Sequence, residues 1–337
     1  MTPGHNHWRR LLHRTLEEMY ATARIAGETS WGGALHTFFT KAEIQIMNRQ
    51  GYYESPGATR RLLKKHAVMR RYFDKTYGDF LASYPFPDVI PDRDNGLGEG
   101  IWMCWWQGLD QAPEIVRKCV ESVRKNAAGR RVTVITEENY REYVQLPLWL
   151  EEKYRAGILS RTHFSDILRM SLLASYGGVW LDATVFCAGN SLEDCFRGPV
   201  WSIKRPDYGH ISAGCGGFTT GAMGCRYEYR WIFAVFRDFL LQYWKENDFL
   251  VDYLMLDYLI DLALRNNDQI RHAFCRIEPN NAQSDNLIKR MNEPYEEALW
   301  QEMKKDTFLF KLSWKQNFAE TQNGKDTFYA KLLKEEL

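Results

Sequence analysis

Residues 160–187 read SRTHFSDILRMSLLASYGGVWLDATVFC, and the fold of the chain turns on them. Phe164, Ile167, Leu168, Met170, Leu172 and Leu173 recur at intervals of three and four, the period of a helix with a buried face. Tyr176-Gly177-Gly178 ends that helix, because glycine accepts the positive φ the chain needs there. Val179-Trp180-Leu181 is short and apolar, which predicts a core strand that delivers Asp182 to its carboxyl end. Ligand sites of open α/β sheets collect at that edge. Asp166 and Arg169 lie one turn apart on a single helix face. The spacing thus gathers two carboxylates and a guanidinium around one helix–turn–strand unit. His163 reads as a capping or structural residue rather than a base.

Upstream, Ile101-Trp102-Met103-Cys104-Trp105-Trp106 is apolar throughout, as a buried parallel strand should be. Gln107-Gly108-Leu109-Asp110 forms a loop, and Pro113 opens a helix whose stripe is Ile115, Val116, Cys119, Val120 and Val123. A second strand at 132–135 completes a β-α-β unit, the entry to a parallel sheet. The alternation predicts short helices at 137–143 and 147–154 and a strand at 200–203. A glycine-rich loop follows, leading into Phe218-Thr219-Thr220. Long helices at 227–244 and 250–264 come next, then a late strand at 308–314 and a helical tail at 326–337. Before the first strand, apolar spacing predicts helices near 7–20, 41–49 and 60–80, broken at Pro56-Gly57. Turn chemistry from Tyr84 to Gly96 marks a boundary. The expected organisation is a helical accessory region at 1–95, a catalytic α/β domain at 96–325 and a C-terminal helix at 326–337.

Net charge is +1 over 337 residues, so the chain as a whole carries no nucleic-acid signature. The charge is uneven. Residues 1–75 hold thirteen Lys and Arg against six Asp and Glu, a net of +7, which leaves about −6 for the remainder. A basic amphipathic stretch of this kind suits peripheral contact with an anionic membrane, and equally suits a solvated helical face. The seven cysteines include no Cys-x-x-Cys pair, which argues against a zinc site or a disulfide framework. With no apolar leader and no run of membrane-spanning length, the expectation is a cytoplasmic protein, resting at most on the inner face of the cell membrane.

The loop after the first strand lacks Gly-x-Gly-x-x-Gly, which disfavours a dinucleotide-binding dehydrogenase. A P-loop and a Gly-x-Ser-x-Gly elbow are also absent. Acidic groups at a sheet edge, tryptophans at strand ends and a nearby arginine suit a nucleotide-sugar site. Trp105 or Trp106 can stack a base, although neighbours on a strand face opposite sides, so at least one belongs to the core. A carboxylate can hold sugar hydroxyls. A metal or Lys/Arg must offset charge on the departing diphosphate. Asp257 and Asp261, one turn apart, are either an acceptor-side pair or a solvated face.

The pattern S-D-I-L-R-x-x-L-L-x-x-Y-G-G-V-W-L-D-A-T, residues 165–184, resembles the capsular polysaccharide synthesis glycosyltransferases. These belong to the wider group of DXD-containing sugar transferases, with the yeast-type initiating mannosyltransferases and the clostridial glucosylating toxins. The resemblance covers residues 102–185 well, is looser through Lys204, Asp257 and residues 311–315, and leaves the first 90 residues uncovered. It implies a GT-A type, Rossmann-like mixed sheet flanked by helices, a nucleotide-sugar donor with UDP favoured over GDP, and retention of anomeric configuration. It implies that Asp166 and Arg169 contact the donor sugar and that Asp182 is the first Asp of DXD. It sets Trp105 or Trp106 against the base and counts Gln107 and Thr184 among the donor-binding residues. It likens Ser313, Trp314 and Lys315 to a late element closing over the β-phosphate, and leaves Lys204 unassigned.

The second Asp of DXD is replaced by Thr184, a poor ligand for Mn²⁺ or Mg²⁺. Three readings stay open. Asp182 and a C-terminal group hold the divalent cation; Lys204, Arg205, Lys311 or Lys315 replaces it; or donor chemistry is lost. The leading expectation is a hexosyltransferase acting on a saccharide or lipid-linked saccharide acceptor in surface polysaccharide assembly. The alternatives are a catalytically weak nucleotide-sugar or glycan-binding protein and, further off, a nucleotidyltransferase.

Overall fold

The computed structural model describes residues 3–49, 54–86, 100–189, 192–205 and 208–337, with 3–14 and 49 described by backbone alone. Much of the expected 84–96 boundary lies outside the described residues. Three long helices come first: α1 (Pro3–Glu28), α2 (Trp31–Arg49) and α3 (Pro56–Ala82). Pro56-Gly57 opens α3 rather than breaking a helix. Ser55 caps it by accepting from the Ala58 amide at 3.2 Å, and Pro56 occupies a position where a missing N–H costs little.

The expected β-α-β unit forms from β1 (Ile101–Cys104), α4 (Glu114–Lys125) and β2 (Val132–Ile135). After α5 (Tyr140–Tyr143) and α6 (Leu148–Arg155) comes α7 (Arg161–Tyr176), capped by Ser160, then β3 (Gly178–Leu181). Gly177 and Gly178 both adopt positive φ, 69° and 81°. A Cβ on Gly178 would meet the Gly100 carbonyl at 2.4 Å, so this glycine also lets β3 approach β1. The chain continues through β4 (Val185–Cys187), β5 (Val200–Ser202), β6 (Ala222–Cys225), α8 (Arg230–Glu246), α9 (Met255–Asn266) and α10 (Asp268–Cys275). It ends with α11 (Leu287–Arg290), α12 (Glu297–Lys304), β7 (Leu309–Lys311), the hairpin β8 (Thr321–Gln322) and β9 (Lys325–Asp326), and α13 (Phe328–Leu333).

The main sheet has the order β2-β1-β3-β6-β5. β1 pairs parallel with β2 and β3, while β6 runs antiparallel to both β3 and β5. With helices on its faces, this is the mixed α/β, GT-A-like architecture expected from the motif. The sequence pattern misses β6, whose Ala-Met-Gly-Cys run lacks the β-branched residues that mark strands. β4 pairs antiparallel with β7 in a separate ribbon, which brings residue 185 beside residue 311.

Ile167, Leu168, Met170, Leu172 and Leu173 of α7 are fully buried, at roughly 1.5–3 kcal/mol of transfer free energy each. They share one core with α8, α9 and the N-terminal helices through Met69, Tyr72, Phe73 and Tyr77. Lys65 of α3 and Asp252, before α9, form a fully buried ion pair at 2.8 Å. Buried side chains of α1, α2 and α3 therefore pack into the same core as α7, α8 and α9.

Candidate active site

β2 lies to one side of β1 and β3 to the other, so the strand order reverses between β1 and β3. A crevice for a ligand opens at such a switch point, outside the carboxyl ends of the strands. Trp105 follows β1 there, and Asp182 follows β3.

Asp182 is held from three sides. Its Oδ1 accepts from Arg169 Nη2 at 3.2 Å and from Trp180 Nε1 at 2.9 Å, and its Oδ2 accepts from Lys311 Nζ at 2.6 Å. Its amide donates to the Gly221 carbonyl at 2.8 Å, and a Cβ on Gly221 would lie 2.7 Å from Oδ2. Glycine at 221 thus makes the room the carboxylate occupies. Burial favours the neutral acid, but Lys311 and Arg169, with hydrogen bonds from Lys311 and Trp180, hold Asp182 down to about 2.

Arg169 is buried on α7 and joins two carboxylates. Nη1 lies 3.3 Å from Asp166 Oδ1, and the guanidinium carbon stands 4.9 Å from the centre of the Trp180 ring. Its Nε has no hydrogen-bond partner among the described residues. Burial raises the Asp166 carboxyl above its ordinary value, against the opposing pull of Arg169. Asp257, in the first turn of α9, is pushed up to about 7 by burial and then by the like charge of Asp166. The surroundings thus keep Asp182 ionised and favour the protonated form of Asp257.

Trp105 and Trp314 meet edge-on, with centroids 5.7 Å apart, which joins the end of β1 to the segment after β7. Lys315 Nζ stands 5.9 Å from the Trp314 ring centre, and the Lys315 amide donates to Ser313 Oγ at 3.2 Å. The late element therefore lies beside the expected base-stacking ring.

Other expected residues are placed elsewhere. Trp106 packs on Tyr140, Tyr154 and Phe164 in the core, so Trp105 is the tryptophan of the pair left nearer solvent. Gln107 is exposed in the turn beyond it. Lys204 Nζ donates to the Ile277 carbonyl at 2.8 Å, and Arg205 pairs with Asp285. Asp261 binds Arg70 and Arg265, so it forms no pair with Asp257. Thr184 is buried, and its carbonyl accepts from the Leu312 amide at 2.8 Å. Ser160 Oγ lies 2.7 Å from His163 Nδ1, which places His163 in the helix cap as expected. Trp180 and Gly221 escape the sequence reading. Trp180 had a signal, since residues two apart on a strand share a face.

The donor set does not fit a divalent cation. Such ions take several carboxylate and carbonyl oxygens. Both Asp182 oxygens are engaged by cationic side chains, and among the described residues no three His, Cys, Asp or Glu gather as ligands.

Residues 50–332 match the family described as capsular polysaccharide synthesis protein. The chain belongs to that family. It is a glycosyltransferase of surface polysaccharide assembly, as the motif implied. The match also reaches further than the motif resemblance, because it takes in α3. No curated protein matches the chain. Among solved structures it is similar to a glycosyltransferase involved in glycosylation of the major capsid of PBCV-1, with 9% identity over 70% of this chain and 98% of that one, TM-score 0.38. It is also similar to the apo bifunctional glycosyltransferase WbbM, with 8% identity over 87% of this chain and 61% of that one, TM-score 0.34. No helix among the described residues is long and apolar enough to cross a membrane.

Proposed function

We propose that the protein transfers a hexose with retention from a nucleotide-diphosphate sugar, UDP-linked in preference to GDP-linked, to a saccharide or lipid-linked saccharide acceptor. Lys311 and Arg169 take the role a divalent cation plays in DXD enzymes. The observation that carries this reading is the Asp182 carboxylate gripped at 2.6 Å by Lys311 and at 3.2 Å by Arg169, beside the switch point of the sheet. Of the three readings left open by Thr184, a lysine in place of metal fits this geometry.

In the reaction, the bond between the sugar's anomeric carbon and the β-phosphate oxygen breaks, and the acceptor hydroxyl oxygen bonds to that carbon. The hydroxyl proton passes to the departing phosphate oxygen on the same face, which retains configuration without a dedicated protein base. Charge builds on the diphosphate as the bond opens. Arg169, buried, and Lys311, held by Asp182, are already oriented to neutralise it, which is electrostatic stabilisation of a leaving group. Asp182 keeps Lys311 in place until donor arrives and then holds the ribose. Asp166 addresses sugar hydroxyls, Trp105 and Trp314 flank the base, and Asp257 faces the acceptor side.

The test is nucleotide release from a panel of UDP- and GDP-sugars, with and without chelator. Turnover that persists in chelator and vanishes in Asp182→Asn supports the reading. Turnover that chelator abolishes and Mn²⁺ restores defeats the lysine assignment. Binding without release across donors and acceptors assigns the protein to nucleotide-sugar binding alone.

A further inference from the structure

Along the described part of the two N-terminal helices, large apolar side chains face outward as well as inward. α1 and α2 pack on each other and on α3 through Ala21, Ile25, Ala34, Thr37 and Thr40, all buried. Outward, α1 presents Leu16, Met19 and Tyr20, and α2 presents Trp31, Leu35, Phe39 and Ile46. Trp31 and Phe39 are 65% and 66% exposed. Seven of the eleven large hydrophobic side chains exposed among the described residues fall on this hairpin. Leu16, Met19 and Tyr20 stand at i, i+3, i+4 and Trp31, Leu35 and Phe39 at i, i+4, i+8, with Ile46 two turns further along the same face, so each helix contributes one stripe. Contiguous exposed apolar surface of this kind marks an interaction site.

The neighbouring helix supplies charge. On α3, Arg60, Lys64, Arg71 and Lys75 share one exposed face, and none forms an ion pair among the described residues. The seam between α2 and α3 is closed on its solvent side by Arg61 Nε donating to Glu43 Oε2 at 2.7 Å and by His36 Nε2 lying 3.0 Å from the Arg61 carbonyl. The apolar stripe of α2 and the cationic stripe of α3 therefore adjoin across that seam.

We infer that this face docks on an anionic lipid bilayer, with Trp31, Leu35 and Phe39 entering the headgroup–acyl boundary and the α3 cations neutralising acidic headgroups. Unpaired cations beside a large apolar stripe match that surface in both respects. A second copy of the chain meeting this one through the same face would set the α3 cations against their like. The inference is independent of the donor chemistry proposed above, and none of these residues belongs to the candidate active site.

The full chain is tested by flotation with vesicles of phosphatidylcholine alone and with about 30 mol% phosphatidylglycerol, a composition that gives the surface potential on which the cations act. The expected result is binding to the anionic vesicles at least about tenfold tighter than to neutral ones, weakened by salt as screened charge must be. Trp31→Ser/Phe39→Ser and Arg60→Glu/Lys64→Glu each reduce it about tenfold or more, while nucleotide release with a soluble acceptor stays unchanged. Absence of binding to anionic vesicles, or equal binding by the wild type and both double variants, overturns the inference. So does a dimer in light scattering that Trp31→Ser/Phe39→Ser dissolves without any vesicle binding by the wild type.

Discussion

Lys311 Nζ lies 2.6 Å from Asp182 Oδ2, although 129 residues separate them in the chain. The antiparallel register of β4 and β7, with Val185 opposite Lys311, makes the contact. If that ammonium stands in for a metal, Lys311→Met should lower kcat for donor hydrolysis by about 10²–10³-fold, the usual cost of losing one preorganised group that stabilises developing negative charge. Lys311→Arg should recover part of the loss, and added Mn²⁺ should recover none. Steady-state kinetics in chelator and in Mn²⁺ check this, and rescue of Lys311→Met by Mn²⁺ would count against it.

Gly221 is the steric partner of the same carboxylate. A methyl group there would lie 2.7 Å from Asp182 Oδ2, and three donors keep that oxygen pair from moving aside freely. Gly221→Ala is expected to reduce donor hydrolysis by about tenfold or more, since small misplacements of a reacting constellation are costly. The melting temperature should move little, because the displaced atoms end a side chain rather than belong to backbone. An unchanged rate would show that the position of Asp182 is not limiting.

Asp257 has a pH signature. Its folded-state value of about 7 stands above the ordinary 3.8, so the folded protein binds that proton more tightly than the unfolded chain. Its contribution to stability is fullest below 3.8 and is lost as pH rises through about 7. Asp257→Asn should therefore flatten the decline of melting temperature over that window. It should also remove any limb near pH 7 from the rate profile. Parallel calorimetry and rate measurements separate the two effects, and an unaltered slope in both would refute the assignment.

Lys65 and Asp252 tie α3 to the segment that leads into α9. Burial pulls the lysine below its ordinary range, and Lys65 holds Asp252 below its own despite burial. Asp252→Ala should cost about 3–5 kcal/mol by stranding a buried charge. The double replacement Lys65→Met/Asp252→Leu should regain much of it, because it leaves no buried charge unpaired, although the Leu254 amide loses its acceptor on Asp252. Denaturant unfolding of the three variants decides this, and equal losses in the single and double variants would mean that the pair is not the cause.

Some of this was readable without coordinates. α7, the glycine pair and β3 form where the 3.6-residue period and the Gly-Gly break predict them, because those signals are local. β1, β2 and β5 lie within the expected strands for the same reason. β6 was hidden because its Gly224 opposes Val179, where a Cβ would meet the Gly178 carbonyl at 2.2 Å, so packing rather than strand propensity chooses that residue. α10 and α12 also escaped, being helices of eight residues each whose apolar positions span barely two turns.

The sequence by itself determined that Asp166, Arg169 and Asp182 would surround one turn, since a helix period and a strand end place them without reference to the rest of the chain. Only the tertiary structure decided which cation meets Asp182, which of Trp105 and Trp106 is left near solvent, and that the N-terminal helices pack on α7, α8 and α9. Those outcomes depend on contacts between residues from tens to more than a hundred positions apart. Pairing of strands and burial of helix faces settle them, and no local pattern encodes either.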